Sequence, residues 1–88
     1  MTGKPDEKTD LEKSRDIISQ LKEMQHYSEA NIEKLTEFWL LFDGKMKNRD
    51  MADKLELLLS QQNTFHDSLT SVVSDFEIEC NRIENEMS

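Results

Sequence analysis

Eighty-eight residues, 35% hydrophobic and 34% charged, make one domain or less, with a core that is marginal for its size. The net charge of −8 repels nucleic-acid phosphates and anionic lipid, so neither nucleic acid nor membrane is an expected direct partner. Two Gly and one Pro leave little to break a helix or build a tight hairpin, a composition that suits long amphipathic helices better than a globule.

Residues 1–9 hold Gly3 and Pro5 and no large apolar residue after Met1. They read as a disordered arm. Thr9 or Asp10 can cap the first helix, and Glu12 falls in its first turn, where the helix dipole favours negative charge. From there Leu11, Ile18, Ile32 and Trp39 share one seven-residue row, and Leu21, Leu35 and Phe42 lie on the row three residues on. Ile17, Met24 and Phe38 widen the stripe. The period is helical and excludes strand alternation. Gln25 and Ser28 interrupt the rows; polar residues there either fix register, as buried Asn does in coiled coils, or mark a frayed stretch.

Phe38, Trp39, Leu40, Leu41 and Phe42 cover every side of a helix, where a helix with one partner needs a stripe about 100° wide. Asp43 and Gly44 then predict a stop, with Gly in the left-handed position after the last turn. The apolar phase supports the break: the first helix's row extrapolates to 46 and 53, the second's back to 48. The second helix starts with Asn48 or Asp50 as cap and Asp53 in its first turn. Its stripe runs Met51, Leu55, Leu58, Gln62, Phe65, Leu69, Val72, Phe76 and Ile83, thickened by Leu59, Val73, Cys80 and Met87. The expected architecture is all-α: an arm over 1–9, a helix over 10–43, a turn over 44–49 and a helix over 50–87. Two such rods close into a helix-turn-helix hairpin and dimerise into a four-helix bundle or coiled-coil assembly.

The stripes are wider than one hairpin buries. Phe38, Trp39, Leu40, Leu41, Phe42, Leu55, Leu57, Leu58, Leu59, Phe65, Leu69 and Phe76 are therefore the expected protein-interface residues, with Trp39, Leu40, Leu41 and Leu57 left bare at the turn. On this view Trp39→Glu reduces the assembly to monomer or unfolds it.

Tests for chemistry are negative. His26, His66 and Cys80 have no metal-ligand spacing. His66 and Asp67 are adjacent, so on a helix they do not face each other, and Cys80 has Glu79 and Asn81 as neighbours rather than a cation. Catalytic residues, cofactors and metals are not expected, and the chain is read as no enzyme. One cysteine cannot form an internal disulfide, so a reducing interior, nucleus or cytoplasm, fits. No signal peptide, membrane span or prenylation motif is expected. Leu55, Leu58 and Leu59 fit a Leu-x-x-Leu-Leu motif, but the heptads use the same leucines. Lys45, Lys47 and Arg49 form the one basic cluster, read as a solvated turn.

With Ile17, Ile18, Ser19, Gln20 and Leu21 in one row, Trp39 followed by Phe42 and Asp43, and Met51, Ala52 and Asp53 opening the second helix, the chain resembles the small synaptonemal complex central element proteins of the central element protein 3 type. The resemblance implies a structural role in meiotic chromosome synapsis, through self-association and binding to other coiled-coil proteins, with Trp39 and its neighbours in the interface. The alternative is a small helical adaptor subunit of a kinetochore, vesicle-tethering or cytoskeletal complex.

Overall fold

The computed structural model describes residues 9–87. The expected arm therefore lies outside the described residues, except for Thr9. Helix α1 spans Asp10–Leu40 and helix α2 spans Arg49–Met87. Between them a π-helical turn, Leu41–Lys45, prolongs α1 by one wide turn. The described residues form an antiparallel helical hairpin with no strand.

Thr9 is the α1 cap. Its Oγ1 accepts the Glu12 N–H at 3.1 Å, while Glu12 Oε1 accepts the Thr9 N–H at 3.2 Å. This reciprocal box satisfies two donors that a helix start otherwise leaves bare. At the other end the backbone departs from the expected glycine stop. Gly44 sits inside the π turn without positive φ, and the left-handed residue is Lys47, at φ 51°. Met46 N–H reaches Leu41 O at 2.9 Å, and Asn48 N–H reaches Phe42 O at 2.8 Å. Widening the last turn by one residue moves the reversal from Gly44 to Lys47. Asn48 then starts α2: its Oδ1 accepts Met51 N–H at 3.1 Å and its carbonyl accepts Ala52 N–H at 3.0 Å.

The hairpin is a rod, 67 × 24 × 14 Å with a radius of gyration of 19.7 Å, where a compact chain of this length has about 12 Å. Its seam follows two rows per helix. In α1 these are 11, 18, 25, 32, 39 and 14, 21, 28, 35, 42, all buried or half-buried. In α2 they are Ala52, Leu59, His66, Val73, Cys80 and Leu55, Gln62, Leu69, Ile83. The core proper is Ile18, Leu69, Val73 and Cys80, with Leu11 and Leu21 packed against it. Small side chains at Ser28, Ala52 and Cys80 let the two backbones approach closely. This corrects the expected α2 stripe. The row Ala52, Leu59, Val73, Cys80 faces α1, whereas the bulkier Met51, Leu58, Phe65 and Val72 stay exposed.

Candidate interaction surface

Halfway along the seam the apolar packing gives way to a polar layer. Ser28 is 2% exposed. Its Oγ donates to Gln25 O at 2.9 Å and lies 2.5 Å from His66 Nδ1. A hydroxyl has one proton; with that proton on Gln25 O, the imidazole Nδ1–H donates to Ser28. On the other side of the ring His66 Nε2 faces Glu29 Oε1 at 3.8 Å, and Gln25 Nε2 donates to Thr70 Oγ1 at 2.9 Å. The interruption at Gln25 and Ser28 is thus a packed cross-helix network within a continuous helix. In sequence His66 follows Phe65 of the expected stripe; the structure puts it in the seam, opposite the small Ser28 side chain.

Ion pairs hold the far half of the rod. Arg15 reaches Glu84 at 2.8 Å and Lys22 reaches Glu77 at 2.6 Å, with Arg15 also 3.4 Å from Asn81. All are solvated and contribute little each. Arg82 bridges Glu79 and Glu86 on α2's surface. Its hydrogen bond to Glu79 holds that carboxyl below the usual range.

One broad side of the rod is apolar and open. A shallow groove between the helices is lined by Met24, Tyr27, Ser28, Asn31, Gln62 and Phe65. It continues toward the turn past Asn31, Lys34, Leu35, Phe38, Leu58 and Gln62, and toward the far end a hollow is lined by Ser14, Phe76, Glu79, Cys80 and Ile83. The α1 rim is the row Ile17, Met24, Asn31, Phe38, and the α2 rim is Met51, Leu58, Phe65, Val72. Leu58 is 49% and Phe65 46% exposed, and every apolar member of both rims is exposed.

The expected interface residues divide between seam and surface. Leu69 is 6% exposed and belongs to the hairpin's own core. Trp39, Phe42, Leu55 and Leu59 are half-buried on the seam rows. Phe38, Leu58, Phe65 and Phe76 line the open face, while Leu40, Leu41 and Leu57 are exposed near the turn. The sequence pattern concentrates the open surface at the turn and does not single out the rim as a whole. Ile17, Met24, Met51 and Val72 carry the missing signal, since each lies a heptad from a residue of the groove.

Among the described residues no group of His, Cys, Asp and Glu is placed to hold a metal ion, and no helix is long and apolar enough to cross a membrane. Comparison with known protein families, curated proteins and solved structures finds no match to this chain.

Proposed function

We propose that the chain is a non-enzymatic structural subunit that self-associates into a four-helix assembly and binds other long-helix proteins. The observation that carries this is the open apolar face of the rod, with two aromatic side chains, Phe38 and Phe65, and Met24, Leu58 and Val72 in water. Burying one such side chain contributes about 1.5–3 kcal/mol. The hairpin's own core is slight, since no large side chain is fully buried among the described residues. A rod this thin gains more by covering its face than by any rearrangement within the chain. Two grooved layers stacked face to face give a four-helix bundle, the usual solution for helices with two apolar sides.

The proposed setting is the one the resemblance implies: assembly of the synaptonemal complex between meiotic chromosomes, hence a nuclear, chromosome-associated protein. Ile17 and Ile18, Trp39 with Phe42 and Asp43, and Met51 to Asp53 support it. Light scattering with circular dichroism across concentration tests self-association. The expected result is a helical dimer or larger species from pure protein at micromolar concentration. An unfolded monomer that becomes helical only on adding a partner chain favours the adaptor reading instead.

A further inference from the structure

The open face has an internal symmetry that names its occupant. On α1, Met24 and Phe38 stand one heptad either side of Asn31. On α2, Leu58 and Phe65 flank Gln62, and beyond them Leu55 and Leu69 stand one heptad before and after it. Met51 and Val72 continue the pattern outward. Both centres are amides, and both line the same two stretches of groove. They also lie close to one level of the rod: the seam sets Ser28 against His66 and Gln25 against Thr70, which puts Asn31 opposite Asn63 and Thr64, within about 3 Å of Gln62 at 1.5 Å per residue. Two sequence centres near one height define a line across both helices.

We propose that this face meets the same face of a second copy about a two-fold axis that crosses α1 at Asn31 and α2 at Gln62, with the two turns at opposite ends. The proposal rests on the self-association argued above and adds its geometry. An isologous contact must be self-complementary, so residue i meets j where j meets i. Under this axis Met24 meets Phe38 of the second copy, Leu58 meets Phe65, and Met51 meets Val72. The apolar rims register from Met24 to Phe38 and from Met51 to Val72, Ile17 falls level with Lys45 of the second copy, and only amides fall on the axis. Asn31 and Gln62 have no side-chain hydrogen bond among the described residues. On the axis each comes beside its own copy and beside the other amide, and amides donate and accept equally well. A polar pair between apolar rims penalises a shifted register, because a shift sets an amide against an apolar side chain.

Charge fits this direction. Lys45 and Lys47 lie at the turn, where Arg49 is already held by Asp43. Asp75 and Glu79, the latter shared with Arg82, lie at a matching distance beyond Gln62, while Glu77 is turned to the opposite side against Lys22. The axis brings the two turn lysines level with Asp75 and Glu79 of the second copy, whereas stacking with both turns at the same end sets those lysines against their own copies. Area is sufficient too: the broad side of the rod measures 67 × 24 Å, larger than the patch a stable dimer buries. A standard interface needs about 800 Å² per partner.

A spin label on Met46→Cys, in full-length protein carrying Cys80→Ala, tests the arrangement. Met46 is exposed at the turn and lies fifteen positions from Asn31, so two labels across the axis are about 45 Å apart at 1.5 Å per residue. In a second variant, Asn31→Cys with Cys80→Ala, a short bifunctional thiol reagent is expected to link the two copies 31 to 31. A dimer with labels closer than about 25 Å, or one in which 31 links to Cys at position 62 of a mixed Gln62→Cys partner but not to itself, overturns the axis and leaves self-association standing. A monomer at every concentration for the wild-type protein overturns both. If Asn31→Cys alone loses helicity, the Met46 distance decides.

Discussion

The turn is decided by two side chains, and neither is the glycine. Lys47 occupies the left-handed region at φ 51°, a conformation that costs a non-glycine residue about 1–2 kcal/mol. Gly44 lies in the π turn without positive φ, and a Cβ there meets nothing within 4 Å. Gly44→Ala is therefore expected to stabilise the protein, by about 0.4–1 kcal/mol, through the entropy removed from the unfolded chain. Thermal unfolding followed by circular dichroism checks the sign. A loss of stability would restore Gly44 as the left-handed stop. Asn48 closes both helices: its N–H satisfies Phe42 O, and its side chain and carbonyl take the first donors of α2. Asn48→Ala should cost about 1 kcal/mol, while Asn48→Asp, which keeps the accepting oxygen, should cost much less. Equal losses for both variants would mean that the cap contributes nothing.

Each helix is set by a period that its sequence shows plainly, and the seam between them by packing that it shows only in part. The caps read to within a choice of two, Thr9 or Asp10 and Asn48 or Asp50, of which the structure uses Thr9 and Asn48. The phase break before Leu55 is a local feature and reads directly from residue order. The π turn does not, because a one-residue widening leaves the apolar period unchanged on either side. Nor does the choice between two neighbouring rows of α2. Leu58 and Phe65 outrank Ala52 and His66 in hydrophobicity, yet the close seam selects small side chains and one imidazole with a partner. Hydrophobicity alone therefore points to a patch at the turn, whereas the open face is a rim along the rod. The polar layer gives this a measurable consequence. Ser28→Ala removes the acceptor of His66 Nδ1–H and is expected to cost about 1 kcal/mol, since the half-buried ring is left with an orphaned donor. Adding His66→Leu removes the orphan as well, so the double variant should recover most of that loss in urea unfolding. Simple additivity of the two single changes would show that the pair is not coupled.

As a whole the molecule is one layer of two helices, and a layer has two sides to account for. One residue from the seam and one from the rim separate folding from assembly. Trp39 is half-buried between the helices, so Trp39→Glu puts a charge into the hairpin itself. That variant is expected to lose helicity at every concentration, because a second copy does not restore a seam that is charged within each chain. Phe65 lies on the open rim, 46% exposed, and touches the question of partners alone. Phe65→Glu should leave the hairpin able to form and weaken the contact between copies. The proposed two-fold interface would carry the change twice, and each lost aromatic contact removes about 1.5–3 kcal/mol, so the dissociation constant should rise by roughly a hundredfold or more. Sedimentation equilibrium with circular dichroism on the same samples reads both quantities. For Phe65→Glu, mass should fall at low concentration and recover as concentration rises, with helicity kept throughout. If Phe65→Glu matches the wild type in mass while Trp39→Glu stays helical and monomeric, the two faces have been exchanged: the seam row would join copies, and the rim would face water. That outcome would place the assembly surface at the turn end, around Trp39, Leu40 and Leu41.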